Sequence, residues 1–219
     1  MKLDISELQY VIFDWDNTLA ESRTALVFSI NKVLSEHHLP DWNYYRKFRD
    51  SQLSFRDNFK VLFKDKADEL YARYREVYLA HVKELITTFP FVCETLDFFL
   101  EHNIPMIVMS NKDRLLLDYE LPLLFDPKTF LKIVAGHEAV RDKPYPEHIY
   151  FALQGLLPPS EITPQSVWMI GDSAQDSNCA LAAKALPIRI GKPIWDDDKC
   201  ENDKIIYISD FKVFLDMLK

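Results

Sequence analysis

The sequence predicts an α/β fold, a parallel sheet covered by helices, interrupted once by an all-helical insert. Three observations predict it. Short apolar, β-branched runs recur along the 219 residues with helix-period segments between them. The runs are near-continuous rather than alternating, which suits strands buried on both faces by crossover helices. One long stretch, 21–88, carries helical periodicity alone. Strand–helix alternation with right-handed crossovers gives the layered core.

The elements follow in order. The first strand is the run 10–13. The insert then reads as a helix through Leu26, Ile30, Val33 and Leu34. Next comes one through Phe55, Phe59, Leu62 and Phe63, spaced i, i+4, i+7, i+8 behind the capping candidate Ser54. A longer helix runs through Ala67, Leu70, Tyr71, Tyr74, Val77 and Tyr78. Helix 91–102 leads into strand 106–109, and strand 131–135 into helix 147–155. Strand 167–170 leads into the alanine-rich helix 178–185, followed by strands 187–190 and 205–208. Ser209 reads as the N-cap of a closing helix through Phe211, Phe214, Leu215 and Leu218. The expected division is therefore 1–20 with 89–219 as an α/β core and 21–88 as a helical cap domain. Charge separates the same blocks. Residues 21–88 hold 12 Lys and Arg against 10 Asp and Glu, net +2, and the rest 14 against 24, net −10.

Composition excludes several functions. The four glycines (Gly136, Gly155, Gly171, Gly191) lie sixteen or more positions apart, so neither G-x-G-x-x-G nor a Walker-type phosphate loop is available. Three scattered cysteines form no C-x-x-C, which argues against a disulfide framework or thiolate zinc site and for a reducing compartment. The six histidines show no H-x-x-x-H, and no G-x-S-x-G marks a serine nucleophile. Net charge −8 gives a nucleic-acid partner no global support, although cap aromatics interleaved with Arg46, Lys47, Arg49 and Arg56 would be the place to find one. No apolar run reaches the roughly 18 residues of a membrane span, and the acidic N-terminus is unlike a signal peptide. The expectation is a cytoplasmic protein with no membrane or nucleic-acid partner. The run 196–198 reads as a solvated acidic turn.

The chemistry sits just past strand ends. Strand one runs into Asp14-Trp15-Asp16-Asn17-Thr18, and strand two into Ser110-Asn111-Lys112. Strand three is followed by Asp142-Lys143-Pro144, and strand four by Gly171-Asp172-Ser173-Ala174-Gln175-Asp176. Ligands of open α/β sheets bind at the carboxyl ends of strands, so the four segments can converge. Carboxylates with a lysine and a serine suggest a hard divalent cation and a phosphate. Residues i and i+2 of an extended segment face the same way, so Asp14 and Asp16 can share one substrate. One can attack phosphorus while the other moves protons. Mg²⁺ on Asp14 and Asp172 would offset the repulsion between two anions. Lys143 would add a positive charge and Ser110 a hydroxyl donor. A twelve-residue calcium loop starting at Asp14 fails, because Leu19 falls on its glycine position and Ala25 on its acidic one.

These four segments, in order and spacing, resemble the motifs of the haloacid dehalogenase superfamily across nearly the whole chain. The 21–88 block resembles the helical cap that this family shares with phosphoglycolate phosphatases. The resemblance implies a Rossmann-like core and a Mg²⁺-dependent phosphatase acting on a small phosphorylated metabolite, phosphoglycolate first, through an aspartyl-phosphate. It implies Asp14 as nucleophile and Asp16 as acid/base, with the Asp16 backbone carbonyl also on the metal. Ser110 and Lys143 would bind the phosphoryl group, with Asn111 and Thr18 as further substrate contacts. Asp172 would be a metal ligand, and Asp176 a ligand or the support behind one. Asn17 stands where many members have glycine, and Asn tolerates left-handed backbone. A phosphomutase or phosphonate hydrolase of the same superfamily, or a non-catalytic phosphate-binding module, are the alternatives. The expected state is a monomer or homodimer.

Overall fold

The computed structural model describes residues 2–192, 200 and 202–219; the acidic run 196–198 lies outside them. In chain order the elements are β1 (Tyr10–Phe13), β2 (Ala20–Glu21), α1 (Arg23–Glu36), α2 (Trp42–Tyr45), α3 (Phe55–Phe63), α4 (Ala67–Leu85) and β3 (Thr87–Thr88). Then come α5 (Val92–Glu101), β4 (Met106–Met109), α6 (Arg114–Leu124), β5 (Lys132–Val134), α7 (Glu147–Ala152) and β6 (Val167–Gly171). The chain closes with α8 (Ala174–Ala183), β7 (Leu186–Ile190), β8 (Ile206–Ile208) and α9 (Phe211–Leu218).

Six strands form one parallel sheet in the order β5-β4-β1-β6-β7-β8. Val11 pairs with Met106 and Ile12 with Met169, which puts β1 between β4 and β6. The consecutive apolar runs are explained by two-sided burial. Val11, Phe13, Met106, Val108 and Ile170 pack on one face, toward Phe99 of α5 and Phe214 of α9. Ile12, Ile107, Met109, Val134 and Met169 pack on the other, toward Ile149 of α7 and Ala180 of α8. The chain winds outward from β1 through β4 to β5, then crosses back to β6 on the other side. The reversal leaves a crevice beyond the carboxyl end of β1, where ligands of such sheets bind.

Helices α1 to α4 leave and rejoin the sheet through β2 and β3, which pair antiparallel with Ala20 opposite Thr88. Their packing is aromatic. Phe59 sits 5.0 Å from Tyr71 and 5.3 Å from Phe55, and Phe55 5.1 Å from Tyr74. Trp42, Phe59, Tyr74 and Tyr78 are buried in the same continuous cluster as the sheet's first face. Tyr44 and Phe48 stay exposed.

Several expectations need correction. The last helix is capped by Asp210, whose carboxylate accepts from the Val213 N–H, while Ser209 donates its hydroxyl to Asp210. Helix α8 begins at Ala174 rather than 178, because Ser173 and Asp176 close a capping box at its start. Helix α7 stops at Ala152. The sequence reading missed α6 altogether, and it missed the two-residue strands at the borders of the helical insert. Among the described residues no helix is long and apolar enough to cross a membrane.

Candidate active site

All four polar segments meet beyond β1, β4, β5 and β6, at the floor of a cavity of about 150 Å³ whose walls come from the sheet loops and from residues 42–74. Asp14 leaves the end of β1 and is 6% exposed. Its Oδ1 accepts from Lys143 Nζ at 2.5 Å, and the same ammonium donates to Asp176 Oδ1 at 2.6 Å. Lys143 is 5% exposed and Asp176 1%. Burial works against the Lys143 ammonium, but the two carboxylates outweigh it and hold its pKa well above that of an ordinary lysine. Burial pushes the Asp14 carboxyl up, an effect that Lys143 partly reverses.

The second oxygen of Asp176 accepts from Ser173 N–H at 3.1 Å and Ser173 Oγ at 2.5 Å. Both its oxygens are therefore engaged within the protein. Asp172, 3% exposed, accepts from Asn17 Nδ2 at 2.7 Å. Asn17 has φ 58°, the left-handed backbone that Asn tolerates. Oxygen atoms of Asp14, Asp172 and Asp176 all lie within 4.8 Å of one another. Three hard oxygen donors without thiolate or imidazole fit Mg²⁺ by donor chemistry.

Asp16 lines the cavity with Asp14. Its Oδ1 accepts from Ser22 Oγ at 2.5 Å and from Lys112 Nζ at 2.7 Å. Ser110 also lines it; its hydroxyl accepts from Lys112 N–H at 3.1 Å and has its own hydrogen to donate. Asn111 faces the cavity, yet its side chain serves the backbone. Nδ2 donates to Lys143 O at 2.8 Å and Oδ1 accepts from Lys143 N–H at 3.1 Å. Thr18 is fully buried, its hydroxyl has no hydrogen-bond partner among the described residues, and it does not line the cavity. Arg49 and Arg56 line the wall that comes from residues 42–74; Arg46 does not.

The sequence reading missed several neighbours. His148 is fully buried and accepts from Lys143 N–H at 3.1 Å on Nδ1. Burial, then the Lys143 charge, pushes its pKa down to about 3, so it stays neutral. Gln175 donates to Ser51 O at 2.9 Å and Leu53 O at 3.0 Å, tying the first turn of α8 to the segment before α3. Two of the four glycines are here because side chains would not fit. A Cβ on Gly171 would lie 2.3 Å from Asp176 Cγ, and one on Gly136 2.5 Å from Asn111 O.

Comparison with known proteins gives consistent matches. A family profile described as haloacid dehalogenase-like hydrolase matches residues 11–189. The chain is 28% identical over 189 residues to pyrophosphatase PpaX of Oceanobacillus iheyensis, covering 83% of this chain and 86% of that protein. Its fold is similar to the crystal structure of a predicted phosphoglycolate phosphatase from Haemophilus somnus 129pt, with TM-score 0.81 and 19% identity over 98% of this chain and 99% of that one. It is also similar to CbbY from Rhodobacter sphaeroides in complex with xylulose-(1,5)bisphosphate, with TM-score 0.76 and 17% identity over 91% and 93%. At such identities the two structures share the fold alone.

Proposed function

The chain belongs to the haloacid dehalogenase-like hydrolase family, and on that premise we propose that it is a Mg²⁺-dependent cytoplasmic phosphatase of a small phosphomonoester, phosphoglycolate first. The observation that carries this reading is the buried Asp14 at the cavity floor, ion-paired to Lys143 with Asp16 two residues on. A cavity of about 150 Å³ is small beside the roughly 300–1,000 Å³ of drug-sized sites, which favours a compact substrate. Arg49 and Arg56 on the cap wall suit a leaving group that carries its own anion. The same two cations, and the name of the Oceanobacillus relative, favour inorganic pyrophosphate as a second reading.

Lys143 and Ser110 hold the phosphoryl oxygens, one by charge and one by a hydroxyl hydrogen bond. A carboxylate oxygen of Asp14 attacks phosphorus, forming the Asp14–phosphate bond as the ester P–O bond breaks. Asp16 gives its proton to the departing oxygen. It then takes a proton from a water, whose oxygen attacks phosphorus and frees Asp14 and inorganic phosphate. Asp14, Asp172 and the Asp16 backbone carbonyl would hold Mg²⁺ with Asp176 behind them, and the bound ion supplies positive charge that offsets repulsion between two anions. His148 and Asn111 hold the backbone of Lys143 in place.

A panel of phosphoglycolate, pyrophosphate, sugar phosphates and an aryl phosphate, assayed with Mg²⁺ and with a chelator, tests the proposal. Metal-dependent phosphate release with one strong preference, abolished in Asp14→Asn, is expected. No release from any of them would refute it.

A further inference from the structure

A second buried charge cluster lies beside the proposed catalytic pair, on residues that the reaction above does not use. Glu120 of α6 is fully buried. Its carboxylate accepts from Trp15 Nε1 at 2.7 Å and from Lys112 Nζ at 2.6 and 2.7 Å. Lys112 Nζ in turn donates to Asp16 Oδ1 at 2.7 Å and lies 3.2 Å from the Tyr78 hydroxyl of α4. Trp15 is the residue between Asp14 and Asp16. Glu120 therefore grips the Asp14–Asp16 segment twice, through the indole and through the lysine. Taking two charges out of water is costly and is recovered only with good geometry, so a cluster this enclosed asks for a use. The two oxygens of Asp16 point to one. Oδ1 takes two donors, Lys112 and Ser22. Oδ2 has no hydrogen-bond partner among the described residues, on a side chain that lines the cavity.

We infer that the Lys112–Glu120 pair, with Ser22, positions the Asp16 carboxyl, pinning Oδ1 so that Oδ2 alone meets the leaving-group oxygen and then the water. Lys112 and Glu120 are positioning residues and touch neither phosphate nor leaving group. The inference rests on the acid/base role proposed for Asp16. Misplacing a reacting group by about 1 Å can cost about 100-fold, and the loss falls on substrates whose leaving group needs a proton.

The test is kcat/KM, which reports the first chemical step, for an alkyl phosphate and a series of phenyl phosphates of rising leaving-group pKa. Lys112→Met alone would strand the fully buried Glu120 charge, so the primary variant is Lys112→Met/Glu120→Gln, which leaves no charge at position 120 and frees Asp16 Oδ1 of its ammonium; Ser22→Ala is the milder second variant. The double variant is expected to lose about 10–100-fold on the alkyl phosphate and less than about threefold on the most activated ester. It should steepen the dependence on leaving-group pKa, with inhibition by inorganic phosphate unchanged. Ser22→Ala should show a smaller change of the same shape. Should the double variant fail to fold, Ser22→Ala decides alone. Equal losses on every ester, or weakened phosphate inhibition, would overturn the inference, because Lys112 would then act in folding or in substrate binding. If wild type releases no phosphate from any ester, the functional reading fails instead.

Discussion

Gly171→Ala is the smallest change that should disturb the site, and its size can be worked out. The new Cβ would lie 2.3 Å from Asp176 Cγ and Oδ2 and 2.6 Å from its Cβ. Asp176 cannot swing aside freely, since Ser173 holds one oxygen and Lys143 the other. The first turn of α8 must back away from β6. Overpacking of this kind costs about 1–3 kcal/mol, and loosening the capping box about 1 more. We expect a loss of about 2–4 kcal/mol, or roughly 5–15 °C in Tm for a chain this size. Lys143 would keep one carboxylate of two, and a shift of about 1 Å should lower kcat about 100-fold. Thermal unfolding and steady-state turnover read both. The three nearest atoms all belong to the Asp176 side chain, so the alanine should cost less in an Asp176→Gly background, where that side chain is gone. An unchanged Tm and rate, or a penalty that persists without the Asp176 side chain, would refute the reasoning.

Other outcomes follow from the same geometry. Asp16→Asn should cripple alkyl phosphate hydrolysis by about 10²–10⁴-fold; with an activated aryl phosphate it should give a burst of phenol and then stall. Neutral His148 has its pKa depressed to about 3, so its contribution to stability is full above the unfolded value near 6.5 and is lost as pH falls toward 3. Between pH 6.5 and 4, urea unfolding of wild type should lose up to about 1.4 kcal/mol per pH unit more than His148→Gln; parallel curves would count against it. Arg56→Gln should raise KM for phosphoglycolate several-fold more than for a neutral aryl phosphate, with the difference shrinking at high salt. Equal effects would remove Arg56 from selectivity.

Much of this was legible in the sequence for a physical reason. Two-sided burial makes strands such as Tyr10–Phe13 and Met106–Met109 read as unbroken apolar runs, and their ends announce the polar segments. What stayed hidden is pairing across distance. Glu120 and Lys112 lie outside any helical i, i+4 relation, and Asp16 is 96 positions from Lys112, so a buried triad reads as separate surface charges. Helix α6 escaped notice because Pro122 stands inside it. The start of α8 escaped because Asp172 to Asp176 reads as a loop until the Ser173–Asp176 box is seen. Ser209 and Asp210 are adjacent cap formers, and only geometry chooses between them. Thr18 and Asn111 sit in the right motifs, yet one is buried out of the cavity and the other serves the backbone of Lys143.

The central claim is that Asp14 carries the phosphoryl group. Its most direct measurement is rapid acid quench of Asp16→Asn with an activated aryl phosphate, followed by peptide mass mapping. Covalent catalysis predicts close to one phosphoryl group per active site, labile to hydroxylamine, on the peptide that carries Asp14. A burst with phosphate on any other residue, or turnover that persists in Asp14→Asn, would contradict it.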